Sequence, residues 1–184
     1  PVTADLAVAA DRERLVEATL DHSGRLDVLV NNAGVSGVGP AEDETLEGFT
    51  GNLELNLVAP FHLSQLAARH MLAAGGGSIV NIASVLGMVA SAPVKEASYC
   101  AAKGGLVNLT RQLGAEWGRK GVRVNAIAPG WFASEMTQEK MFDDEAGRRF
   151  VERNTPMGRA GEVEELDGAL LFLAGDASTY VTGH

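Results

Sequence analysis

At 184 residues and 46% apolar content, the chain is long enough for one compact domain with a substantial core and too short for two large ones. Its 21% charged content is that of an ordinary globular protein, and its net charge of −9 gives an acidic surface that argues against nucleic acid and anionic membranes as partners. The single cysteine, Cys100, rules out an intrachain disulfide, the four histidines show no ligand spacing, and no apolar run approaches the roughly 20 residues of a membrane span. No metal is therefore expected, and the cytoplasm is the default location.

The N-terminus, PVTADL, has no signal-peptide pattern and no initiator Met, so the start of a longer protein is expected to precede it. A helical pattern runs from Ala10 to His22 and is followed by a strand, Leu26 to Asn31. A loop spans Gly34 to Pro40, a second helix Leu53 to Ala73, and Gly75-Gly76-Gly77 a turn. A strand from Ser78 to Ala83 follows, then a helix from Tyr99 to Arg119 and a third strand from Val122 to Ile127. The strands are short, β-branched and apolar on both faces, as a covered parallel sheet requires. Phe132 to Arg159 is polar, with little strand character, and reads as a mobile excursion or lid. A final helix covers Val163 to Leu173. The alternation of helix and strand predicts one α/β domain over residues 1–184, a doubly wound, Rossmann-type parallel sheet with helices on both faces. Ligands in such sheets sit beyond the carboxyl ends of the strands. Here those ends are Asn31-Asn32-Ala33-Gly34, Ala83-Ser84 and Ala128-Pro129-Gly130, all small or polar.

Tyr99 and Lys103 stand four residues apart, on one helix face. An ammonium there favours the phenolate and is expected to draw the tyrosine pKa down, making it a general acid or base. Taken alone, the pair also fits two ordinary helix residues. Tyr99-Cys100-Ala101-Ala102-Lys103 combines, however, with Asn31-Asn32-Ala33-Gly34, Asn56, Ser84 and Pro129-Gly130, in that spacing and order. The whole, from Asp5-Leu6 to Gly183, resembles the short-chain dehydrogenase/reductase family.

The resemblance implies an NAD(P)-dependent oxidoreductase that transfers hydride to or from a carbonyl or secondary alcohol of a small substrate, such as a sugar or a 3-oxoacyl thioester. It implies Tyr99 as the acid/base, Lys103 as its tuner and a ligand of the nicotinamide ribose, and Ser84 as a hydrogen-bond partner of the substrate oxygen. Asn56 would hold a helix irregularity and a water that relays protons to Lys103. Asp5 and Leu6 would meet the adenine, and Asn32, Ala33 and Gly34 the adenosine ribose and pyrophosphate side. Pro129, Gly130 and Phe132 would contact the nicotinamide, and Ser134 keeps a hydroxyl where the family often has threonine. Cys100 and Trp117 are expected to pack, and Trp131 to pack or touch substrate. The lid, with Glu135, Met136, Met141, Phe142 and Arg148, would set substrate choice. Leu55, Leu57, Phe61 and Leu66 predict a homo-oligomer, tetramer or dimer, paired through the two long helices.

The sequence departs from the family at both ends. The opening strand with its T-G-x-x-x-G-x-G turn is missing, as is the last strand. The sheet is expected to be incomplete at both ends and to fold poorly alone. The strand that separates NAD from NADP is absent, so the cofactor is NAD or NADP. A truncated, non-catalytic relative serving as a binding or scaffold subunit is the alternative. An extended-branch lyase or epimerase is disfavoured by the short tail.

Overall fold

The computed structural model describes residues 1–92, 94–134 and 137–184, with backbone only at Glu139 and Lys140. The expected lid residues Glu135 and Met136 lie outside the described residues. The described sheet has three parallel strands, β1 (Val28–Asn31), β2 (Gly77–Ile82) and β3 (Val122–Ile127), in that spatial order. Helix α1 (Ala9–Ser23) precedes β1. The connection from β1 to β2 is a continuous helical rod made of α2 (Leu46–Leu53), a π-helical turn (Glu54–Val58) and α3 (Ala59–Ala74). Helix α4 (Ala97–Trp117) connects β2 to β3.

The rod begins seven residues before the expected Leu53. Thr45 caps it, its Oγ1 accepting from the Gly48 amide at 3.0 Å. Gly48, Thr50 and Gly51 masked this first segment in the sequence, because their intrinsic preference is for loops and tertiary packing overrides it. At the other end, Gly75 (φ 90°) closes α3, and Gly121 (φ 87°) closes the turn after α4, each just ahead of a strand. A Cβ on Gly121 would stand 2.5 Å from the Gly75 carbonyl oxygen, so the close approach of the two chain reversals needs glycine.

Alternation along β2 sets the layers. Ile79 joins Met71 of α3 and Leu113 of α4 in the core cluster with Ala67, Ala68, Val122 and Val124. Ser78 points the other way, its hydroxyl donating to the Leu173 carbonyl of α6 (Asp167–Ala174). Helices thus cover both faces of β2, as the doubly wound pattern requires. Buried polar groups are paired across the layers. Asn31 Nδ2 donates to Asn81 Oδ1 (2.8 Å), and Asn81 Nδ2 to Thr110 Oγ1 of α4 (2.9 Å). The outer edge of β3 is lined by the C-terminal segment, where the Gly183 amide donates to the Val124 carbonyl at 2.7 Å. On β1, by contrast, Val28 and Val30 are 39% and 37% exposed.

The segment expected as an irregular excursion carries helix. A π-turn covers Gln138–Phe142 and α5 covers Glu145–Asn154, where Asp144 caps through the Gly147 amide at 3.2 Å. Val151 of α5 is buried and the charges gather on the opposite face, so the segment is amphipathic despite its high charge content. The final helix opens as a 3₁₀ turn (Val163–Leu166) before α6, and Arg159 grips Glu165 there through two hydrogen bonds of 2.7 Å. Among the described residues, no helix is long and apolar enough to cross a membrane.

Candidate active site

The three strand ends converge on one cleft. Beyond β2 the pairing with the third strand continues, as the Ala83 amide donates to the Ile127 carbonyl (2.8 Å) and the Val85 amide to the Pro129 carbonyl (3.0 Å). Ser84 is thereby held against Pro129-Gly130. It caps a 3₁₀ turn (Val85–Gly87), its Oγ accepting from the Leu86 amide at 3.1 Å, and is 8% exposed. Gly87 then packs directly on α4, where a Cβ on it would meet the Lys103 carbonyl group at 2.7 Å. This backbone contact sets the register between Ser84 and the first two turns of α4.

Those turns present Tyr99 and Lys103 on one face. The Lys103 ammonium lies 5.6 Å from the Tyr99 ring centre and donates to the Ile82 carbonyl at 2.7 Å. Burial lowers its pKa from 10.5 to about 8. Tyr99 is half-buried, and burial pushes its phenol up, against the Ser84 hydrogen bond, which favours the phenolate; Glu96 and Cys100 push it further up. The direction is opposite to that expected from the Tyr–Lys spacing. The reason is physical: the same loss of water that disfavours the phenolate also disfavours the ammonium meant to stabilise it. Tyr99 therefore holds its proton.

Asn56 sits in the π-turn, fully buried, as the expected helix irregularity. Its Nδ2 donates to the Val35 carbonyl and to Asn52 Oδ1, both at 2.8 Å, and its Oδ1 has no partner. A Cβ on Gly34 would stand 2.6 Å from that oxygen and 3.6 Å from Lys103 Nζ, so the two polar atoms face one point beside Gly34. Nearby, buried Arg12 of α1 donates to Glu54, the first residue of the π-turn, at 3.0 Å.

The cleft is walled by Ser84, Leu86, Tyr99, Gly130, Trp131 and Met141, among others. Trp131 is fixed edge-on to Phe150 of α5, with ring centres 5.7 Å apart, so α5 braces one wall. Phe132 forms a bridge with Gly161. Ser134 bonds Thr137, and Thr137 rather than Ser134 lines the cleft. Cys100 lies outside this cleft, in a neighbouring depression with Lys95, Glu96 and Ala97. At the β1 end, Leu6, Asn32 and Ala33 share a largely apolar pocket with Leu29 and Leu63. Asp5 Oδ1 accepts from the Ala7 amide at 2.9 Å. The pattern-based reading missed Thr137, Ser36 and Glu96, which come to the cleft from loops and a helix cap and carry no motif.

A family profile described as Enoyl-(Acyl carrier protein) reductase matches residues 2–184. The gluconate 5-dehydrogenase of Gluconobacter oxydans is 42% identical over 160 residues, covering 87% of this chain and 61% of its own. The D-threitol dehydrogenase of Mycolicibacterium smegmatis is 38% identical, covering 97% of this chain and 67% of its own. Among solved structures, a gluconate 5-dehydrogenase from Burkholderia cenocepacia in complex with NADP and tartrate superposes with a TM-score of 0.92 at 37% identity, covering 97% of this chain and 69% of that one. The chain spans 61% of the length of the first of these relatives and 67% of the second. On sequence, fold and the arrangement of its strand ends, the chain belongs to the short-chain dehydrogenase/reductase family.

Proposed function

We propose that the protein is an NAD(P)-dependent oxidoreductase interconverting a carbonyl and a secondary alcohol on a small polyhydroxylated substrate. The observation that carries this reading is the meeting of the Ser84 and Tyr99 hydroxyls in one cleft, with the buried Lys103 ammonium one turn behind. The relatives named above, a gluconate and a threitol dehydrogenase, support the substrate class.

The residues at the strand ends fit a nicotinamide dinucleotide. Lys103 Nζ has three protons and one described acceptor, which leaves donors for ribose hydroxyls. Gly130 has no atom within 4 Å of where a Cβ would stand, so its backbone is open to close approach. Leu6, Asn32 and Ala33 form an apolar pocket suited to adenosine. When bound, the dinucleotide supplies or accepts the hydride.

The chain's own groups handle the oxygen and its proton. In reduction, Ser84 donates to the carbonyl oxygen and stabilises the charge that develops there. Tyr99, held protonated by burial, gives its proton to that oxygen as hydride reaches the carbon, leaving the alcohol and a phenolate. Lys103 stabilises the phenolate. The Tyr99 phenolate regains its proton from solvent, through water at Asn56 Oδ1 and then by way of Lys103, since both atoms face the same point at Gly34. Residues 132–159 act as the substrate lid of a single domain. The exposed Val58 and Phe61, 41% and 40%, support a homo-oligomer built through the rod. The reading places the enzyme in the cytoplasm.

Tyr99→Phe tests the assignment of the acid. Turnover by the full-length protein should fall by about 10³-fold or more, while nucleotide affinity stays within a few-fold. Near-wild-type rates in that variant would reassign the proton donor.

A further inference from the structure

The cleft carries a second polar feature that the mechanism does not use. Glu96 is the N-cap residue of α4, one turn ahead of Tyr99, and its backbone is fixed there by the Cys100 amide, which donates to its carbonyl at 3.0 Å. Its carboxylate makes no capping bond. Instead it accepts from the Ser36 hydroxyl at 2.7 Å, across 60 residues of sequence. Ser36 and Glu96 both line the cleft that contains Ser84 and Tyr99, and none of the cleft's described lining residues is lysine or arginine. The carboxylate is close enough to Tyr99 to disfavour the phenolate.

We propose that Glu96, oriented by Ser36, is a specificity-determining residue that accepts hydrogen bonds from the hydroxyls of a neutral polyol or keto-sugar and turns away substrates that bring a carboxylate to the same place. The proposal rests on the dehydrogenase reading and narrows its substrate class. A carboxylate is a strong acceptor for hydroxyl donors. On a cleft wall with no lysine or arginine among its described residues, it also imposes a like-charge cost on an acidic substrate. A wall built to bond hydroxyls discriminates strongly, because its polar group is left unpaired by the wrong ligand.

The test uses the full-length protein and matched pairs that differ only in a terminal CH₂OH against COO⁻: glucitol with gluconate, galactitol with galactonate, threitol with threonate. The reading is the ratio of kcat/KM within each pair. Wild type should favour the neutral member. Glu96→Gln should move the ratio toward the acid by about tenfold, and Ser36→Ala in the same direction by less. Both variants should retain the wild-type thermal transition and nucleotide affinity. A ratio that stays within about twofold in Glu96→Gln, a wild-type preference for the acids, or turnover of no member of any pair overturns the inference. Nucleotide binding and the Tyr99→Phe result judge the dehydrogenase reading separately, so the two can fail independently.

Discussion

Lys103 places an ammonium at 4% exposure with one described acceptor, the Ile82 carbonyl at 2.7 Å. Its pKa falls from 10.5 to about 8, so below pH 8 the folded protein bears the whole cost of burying the charge, roughly 3 kcal/mol. Between pH 8 and 10.5 the unfolded chain binds more protons than the folded one, and this group's contribution to stability rises with pH across that window. Lys103→Met removes the titration. The stability of wild type relative to Lys103→Met should therefore climb as pH rises from 8 to 10.5, while the variant is inactive throughout. Melting curves of both proteins against pH check this; parallel curves would mean that Lys103 is not desolvated as described. Tyr99 and Lys103 were legible in the sequence because one helical turn is a local spacing. Asn56 was legible only through the family resemblance, since a π-turn leaves no composition signal. Ser36 and Glu96 were not legible, because their pairing is tertiary and spans 60 residues.

The elements hold these groups in register through contacts of backbone on backbone. The 3₁₀ turn after β2 lies on α4 at Gly87, where a Cβ would meet the Lys103 backbone at 2.7 Å. Gly87→Ala should push the turn off α4, cost about 1–3 kcal/mol and lower kcat by separating Ser84 from Tyr99. Gly168→Ala, on exposed α6 with no atom within 4 Å of the new methyl, is the control and should be neutral or slightly stabilising. Equal melting temperatures for the two variants would remove Gly87 from the positioning of the site. The strands were readable from their β-branched runs, and β3 matches its expected range. The start of the rod at Leu46 and the helix α5 were not. Glycines obscure the first; the second is amphipathic, but its high charge content makes it read by composition as a polar loop.

Across the whole molecule, three parallel strands end on one side, and their ends bring together what the chain holds far apart: Gly34 after β1, Ser84 after β2, Pro129-Gly130 after β3 and the first turns of α4. Leu6, Asn32 and Ala33 line a second pocket at the β1 end, distinct in its lining from the cleft of Ser84 and Tyr99. The same topology leaves Val28 and Val30 of β1 39% and 37% exposed in the protein. The most direct measurement is a fluorescence titration of that protein with NADH and with NADPH. Saturable binding of one of them, at micromolar concentration and with enhanced nicotinamide emission, is the predicted result. Binding of neither by a protein that is folded by circular dichroism would contradict the account, and the cleft of Ser84, Tyr99 and Lys103 would then belong to a non-catalytic member of the family.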